Sequence, residues 1–232
     1  RCDLMSESLG MTTSVLVTMP DTDDLDTAPI IYLLHGLTDN CTGWARYTQA
    51  EHLARTHSAI LIMPEVQRSF NGYGLRAKYF TYVNQELQAM VRRFFGIQPN
   101  PARTYIMGLS MGGYGALKVP DRAQQYAGAA GFSSVADIKA KLPTFSRWNE
   151  DQALFSGGVV LRRTICFALA NSGLADGTQK GRMPEGLSGM AANRYGLFAD
   201  NLRLRDHLQG MDWPLTWYEA PVTITGFSGM MP

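Results

Sequence analysis

The stretch that most constrains this chain is Arg103-Thr104-Tyr105-Ile106-Met107-Gly108-Leu109-Ser110-Met111-Gly112-Gly113-Tyr114-Gly115-Ala116-Leu117-Lys118, near the middle of 232 residues. Residues 104–107 are β-branched, aromatic or apolar and fit a buried strand. Gly108-Leu109-Ser110-Met111-Gly112 follows as G-x-S-x-G, and residues 116–118 are helix formers. Strand, sharp turn and helix in that order put Ser110 at the turn. A serine there is forced into a strained backbone conformation, and side chains two residues to either side would collide, so glycine is wanted at 108 and 112. The hydroxyl then stands clear of the backbone at a helix N-terminus, where unpaired N–H groups and the helix dipole favour developing negative charge. The Met111 N–H becomes a candidate oxyanion donor. Close helix-to-sheet packing is the purely structural account of the same glycines. Their spacing at 108, 112, 113 and 115 fits neither G-x-G-x-x-G nor G-x-x-x-x-G-K-[ST], so a phosphate loop is disfavoured.

The flanking segments supply the setting. Residues 12–19 alternate and end at Pro20, which reads as an antiparallel strand at an edge. Ile30-Ile31-Tyr32-Leu33-Leu34 is a continuous apolar run, as a strand covered on both faces requires, and it empties into His35-Gly36-Leu37-Thr38-Asp39. Residues 44–56 have apolar groups at helical spacing, with Trp44, Tyr47, Leu53 and Ala54 on the candidate buried face. A second buried strand spans 59–63 and stops at Pro64, a polar loop covers 69–78, and a helix over 80–95 ends at Gly96. Residues 126–132 suit a further strand, 201–208 a short amphipathic helix, and 215–218 a late strand. Alternating strands and helices predict an α/β domain spanning 1–232, with a mostly parallel, doubly wound sheet and Ser110 after a central strand.

Composition narrows the function classes. At 45% hydrophobic the chain can bury one sizeable core, and a net charge of +1 with scattered Lys and Arg gives no basic stripe for nucleic acid or anionic membrane. No apolar run approaches a membrane span, and the N-terminus lacks a signal-peptide core. Three widely spaced cysteines, Cys2, Cys41 and Cys166, argue against a disulfide framework and make a reducing cytoplasm the simplest compartment. Cys41 reads as a structural thiol. The four histidines, His35, His52, His57 and His207, form no metal-binding pattern, so neither metal nor cofactor is expected.

Several segments together resemble one family. These are residues 31–39, Gly43-Trp44, Lys78-Tyr79-Phe80-Thr81-Tyr82, the stretch 108–118 and Asp200-Asn201-Leu202-Arg203. They look like the tributyrin esterase and esterase D-like branch of the α/β-hydrolases, which includes S-formylglutathione hydrolases and is related to feruloyl and acetyl-sugar esterases. The likeness is strong over residues 6–118 and patchy afterwards. It implies an α/β-hydrolase fold with a nucleophile elbow and little or no cap, and a small-molecule ester substrate. It also implies Ser110 as nucleophile, with the backbone N–H groups of Leu37 and Met111 as the oxyanion hole. His35 precedes Ser110, departs from the usual Ser, Asp, His chain order and reads as structural. A short-chain carboxylesterase acting on acetyl to butyryl esters is the leading expectation. An S-formylglutathione-type thioesterase and a catalytically impaired protein of the same fold are the alternatives, and a homo-oligomer is left open.

The impaired alternative arises because the rest of the triad is not visible. Downstream of Ser110 stands a single histidine, His207, in an Arg-Asp-His-Leu helix that the resemblance makes scaffold. The family's acid belongs just before the segment matching Asp200-Asn201, and its base follows the last strand in a G-x-H-x-W-x-x-W-D-like run. Neither is written here. Read as degenerate codons in a shifted frame, residues 221–232 permit Gly-Asp-His-Asn-Trp-x-Phe-Trp-Asp-Asp-Ala, which carries that whole signature. Residues 163–167 similarly permit Asp-Asp-Leu-Phe, and 187–198 permit an Asp. The sequence is therefore read as holding short frame-shifted windows.

Overall fold

Two uninterrupted apolar runs near the N-terminus can be buried on both faces only inside a sheet that carries helices on each side. In the computed structural model they are neighbouring parallel strands, β3 (Ile30–Leu34) and β4 (Ile60–Pro64), with Ile30 opposite Ile60 and Tyr32 opposite Ile62. The structure describes residues 1–22, 25–69, 78–118, 125–136, 197–210 and 215–217.

Four further strands complete one sheet among these residues: β1 (Cys2–Ser6), β2 (Met11–Thr18), β5 (Thr104–Leu109) and β6 (Gly128–Phe132). The order is β1-β2-β4-β3-β5-β6, parallel from β4 to β6 and antiparallel where β1 meets β2 and β2 meets β4. This mixed, mostly parallel sheet is that of an α/β-hydrolase. The strand expected over residues 12–19 is not at the edge. The hairpin partner β1 lies outside it, a strand hidden from sequence reading by the charged and polar residues of Cys2-Asp3-Leu4-Met5-Ser6.

Alternation along the central strands divides the core in two. Ile30, Tyr32, Leu34, Ile60, Ile62 and Ile106 face one layer, shared with Leu87 and Val91 of α4 (Leu87–Phe95) and with Tyr114 and Leu117 of α5 (Met111–Lys118). Leu33, Leu61 and Met63 face the other, under Trp44 of α1 (Gly43–Tyr47) and Ala54 of α2 (Ala50–Thr56). The single helix expected over 44–56 is thus two short ones, because Thr48 leaves helical geometry at φ −135°. Tyr47, expected on the buried face, is instead exposed at the end of α1, where Arg46 lies over its ring.

The helix expected over 80–95 begins one residue earlier as α3 (Tyr79–Thr81) and passes through a π-turn at Tyr82–Glu86 before α4. The wider turn presents Glu86 to the β1–β2 connection. There its carboxylate accepts hydrogen bonds from the Ser6 hydroxyl at 2.8 Å and from the Glu7 and Ser8 N–H groups at 2.7 and 3.0 Å. One side chain thereby pins the antiparallel hairpin to the helical layer. Downstream, α6 (Leu197–Gln209) buries Leu197 and Leu208. Asn201 on that helix donates to Ser134 O at 2.8 Å, fastening it to the segment after β6. Of the late strand expected at 215–218, residues 215–217 join no ladder among the described residues, and Tyr218 lies outside them. The remaining expectations, the cap segment and the three frame-shifted windows, lie mainly or wholly outside the described residues.

Burial disfavours ionisation of Glu86, but the bonds from Ser8, Ser6 and the Glu7 N–H outweigh it and hold the carboxyl below the ordinary 4.5. A carboxyl depressed in the folded state adds stability above its unfolded pKa and loses it as the pH falls through the folded one. Urea midpoints should therefore drop on acidification below about pH 4.5, the ordinary value, and Glu86→Gln should flatten that dependence. Equal slopes for variant and wild type would show that Glu86 does not pin the hairpin.

Candidate active site

Ser110 sits between β5 and α5 with φ +54°, a left-handed conformation unfavourable for a residue with a side chain. The neighbourhood holds it there. Ser110 N–H donates to Phe132 O at 2.9 Å, while its carbonyl accepts from Tyr114 N–H at 3.0 Å and Val135 N–H at 3.2 Å. Both backbone groups are thus committed, to β6 and to the first turn of α5, leaving the side chain as the group that can face a ligand.

The glycines on either side are required by contact. A Cβ at Gly108 would lie 2.3 Å from the Gly112 carbonyl, and one at Gly112 would lie 2.4 Å from Leu34 O and 2.6 Å from His35 O. Such separations are far inside van der Waals contact, and the obstacles are backbone atoms that cannot turn aside. The start of α5 is therefore pressed directly onto the C-terminal end of β3. Of the two expected reasons for these glycines, local crowding at the turn accounts for Gly108 and close helix-to-sheet packing for Gly112.

That contact brings the two sequence-predicted segments together. The His35–Asp39 loop leaves β3 beside the elbow, where a Cβ on Gly36 would be in ordinary contact with Leu109 O at 3.8 Å. Leu37 stands in the turn after β3, its side chain packed on the core. Met111 is the first residue of α5 and fully buried. As a first helical residue its N–H has no intrahelical acceptor. A small depression lies alongside, lined by His35, Gly36, Asp39, Trp44, Thr48 and Leu109. Trp44 forms one wall and is held by its indole N–H, which donates to Leu34 O at 3.1 Å. Its ring also meets Phe132 edge-on at 6.0 Å.

Behind the loop is a polar cluster. His35 is fully buried, with Nδ1 2.7 Å from Gly36 O and Nε2 3.0 Å from Val66 N and 3.1 Å from Glu65 Oε1. Glu65 also accepts from Cys41 N–H at 3.1 Å and Gln67 N–H at 2.8 Å. Burial works against its ionisation, yet the hydrogen bond and charge of His35, with the two N–H groups, keep the carboxyl below its ordinary value. The buried Cys41 thiol moves the other way, raised by burial and then by the Glu65 carboxylate, which leaves it little thiolate character. Sequence reading overlooked Glu65. The available signal was an acid directly after Pro64, where β4 ends on the same carboxyl edge of the sheet as the elbow.

Among the described residues no triad partner stands beside Ser110. Among the described residues no side chain is hydrogen-bonded to its hydroxyl, and His207 is exposed on α6. The positions from which the frame-shifted reading draws an acid and a base fall outside the described residues apart from 197 and 198. Among the described residues no group of three or more His, Cys, Asp or Glu side chains could hold a metal ion, and no helix is long and apolar enough to cross a membrane.

A curated relative, an acetyl esterase of Caldicellulosiruptor saccharolyticus, is 30% identical over 132 residues, covering 51% of this chain. The match spans about half of that relative's length, 48%. Among solved structures, the fluorophosphonate-binding serine hydrolase F of Staphylococcus aureus superposes with a TM-score of 0.69 at 21% identity, covering 95% of this chain and 89% of that one. An S-formylglutathione hydrolase of the same organism gives 0.65 at 21% identity and the same coverages. These two likenesses establish the fold. The family described as putative esterase matches residues 6–159, and with two-thirds of the sequence inside that match the chain belongs to this esterase family.

Proposed function

We propose that the chain is a serine carboxylesterase acting on short acyl esters, acetyl to butyryl, through an acyl-enzyme on Ser110. The observation that carries the reading is the left-handed Ser110, held at φ +54° where α5 abuts the end of β3. Strain of this kind persists only where the surroundings enforce it, and it concentrates at functional sites. Ser110 Oγ attacks the ester carbonyl carbon and its proton passes to a general base. The carbonyl oxygen becomes an oxyanion between the Leu37 and Met111 N–H groups. Collapse of the tetrahedral species expels the alcohol, which takes up the proton, and water then releases the acid by the same route. The acetyl esterase likeness supports a small acyl group.

The base is the weak point of the written chain. The frame-shifted reading of residues 221–232 supplies one in a family-like run, and we assign the base there in preference to exposed His207. Without a base, Ser110 is a weak nucleophile near neutral pH, and the oxyanion hole and binding alone leave roughly 10³ to 10⁴ over the uncatalysed rate. A fluorophosphonate probe should label Ser110 and fail on Ser110→Ala. Nitrophenyl acetate turnover should be slow in the written chain, fast in a chain with the frame restored, and unaffected by His207→Ala in either. Equal turnover by the two chains, lost on His207→Ala, would make His207 the base. Unchanged labelling of Ser110→Ala would remove the nucleophile assignment.

Chain-length preference tests the substrate class. Tyr79, Phe80 and Tyr82 are buried and lie in the family-like block, and a rigid aromatic wall drawn from that block would limit the acyl pocket. An open apolar groove would instead favour each added methylene by about 0.8 kcal/mol. Specificity constants across the nitrophenyl ester series should peak between acetate and butyrate. A steady climb to dodecanoate would show the acyl site to be open.

A further inference from the structure

Among the described residues, the peptide joining Gly36 to Leu37 is held from its carbonyl side. Its carbonyl oxygen accepts from the Asp39 N–H at 3.2 Å and lies 2.7 Å from His35 Nδ1. Because the peptide unit is planar and trans, its C=O and N–H point in opposite directions. Fixing Gly36 O therefore fixes the direction of the Leu37 N–H, which is turned away from the imidazole.

The imidazole is held in turn. With an uncharged ring, Nδ1–H donates to Gly36 O and Nε2 accepts the Val66 N–H. With a charged ring, Nε2–H turns to the Glu65 carboxylate while Nδ1–H still donates to Gly36 O. Nδ1 carries its proton in both forms and keeps its bond to Gly36 O, while Glu65 grips the ring directly through Nε2–H in the charged form. Glu65 grips the far end of the same loop through the Cys41 N–H, and its other oxygen is kept in place by the Gln67 N–H. The carboxylate is anchored to the sheet, since Glu65 N–H donates to Ser14 O of β2 at 2.8 Å.

We infer that Glu65 is a positioning residue, bracing the segment from His35 to Cys41 at both ends so that the Leu37 N–H is preset toward a developing oxyanion. The inference rests on the esterase reading of Ser110. Glu65 touches neither substrate nor Ser110; it acts through His35 and the Cys41 N–H. A preset donor matters more in the transition state than in the ground state, so its loss should appear in kcat and leave KM nearly unmoved.

The test compares wild type, Glu65→Ala and Glu65→Gln in the written chain, by three measurements: nitrophenyl acetate kinetics, the rate of fluorophosphonate labelling at Ser110, and amide exchange across residues 36–41. Glu65→Ala should lower kcat and the labelling rate by about tenfold or more, a fraction of the 10² to 10³ that deleting an oxyanion donor costs. KM should shift less than about threefold, and exchange across the loop should quicken. Glu65→Gln keeps an acceptor for the Cys41 N–H and should recover most of the loss. Unchanged rates in Glu65→Ala, parallel changes in kcat and KM, or equal losses in both variants would overturn the inference. Failure of both the written and the frame-restored chain to take label at Ser110 would refute the esterase reading itself. Exchange then still reports on the brace, and unchanged exchange in Glu65→Ala would refute that separately.

Discussion

The arrangement depends on one contact, the direct approach of Gly112 at the start of α5 to the carbonyls of Leu34 and His35 at the end of β3. No side chain intervenes. The strand that ends in the elbow and the strand that feeds the His35–Asp39 loop are hydrogen-bonded neighbours, with Leu34 opposite Gly108. Sheet register therefore sets the two segments at the same height, and the missing Cβ atoms let them close laterally. Every later feature of the site uses this closeness. Leu37 and Met111 can serve one oxyanion only if the backbones bearing them converge, and nothing larger than glycine at 112 lets them do so.

Around that contact the protein buries polar groups and supplies their partners. His35, Glu65 and the N–H groups of Cys41, Val66 and Gln67 form one cluster beneath the loop, where an unpaired member would cost about 1–3 kcal/mol. The cluster ties β4 to the loop after β3, across the parallel pair that forms the middle of the sheet. Glu86 does the equivalent for the N-terminal hairpin from the π-turn. In both places a single carboxylate accepts from several donors on segments distant in sequence. These two carboxyls are also held below their ordinary pKa, so the parts of the fold they join weaken together in acid.

Much of this was legible in the sequence because the strongest signals are local. The apolar runs at 30–34 and 59–63 read as buried strands, and G-x-S-x-G between strand and helix put Ser110 at a turn. What escaped depends on partners far along the chain. Tyr47 fits a helical stripe, yet the helix stops at Thr48 and leaves the ring outside. Cys2-Asp3-Leu4-Met5-Ser6 has little strand character of its own and becomes β1 by pairing with β2. Glu65 looks like an ordinary polar residue after a proline until His35 and Cys41, some thirty and twenty-four positions earlier, fold against it. The motif for Ser110 was explicit, whereas the segments in which the resemblance places the triad partners do not carry the expected residues as written.

The central claim is that Ser110 forms a covalent acyl-enzyme at this elbow, and intact-mass analysis after rapid acid quench tests it most directly. Mixed with nitrophenyl acetate, the protein should gain the mass of one acetyl group, and peptide mapping should place it on the fragment containing Ser110. A slow or absent base affects deacylation as well as acylation, so the adduct should persist in the written chain long enough to be mapped. An unmodified mass under conditions in which nitrophenol is released, or an acetyl group carried on a different residue while Ser110 stays free, would contradict the account.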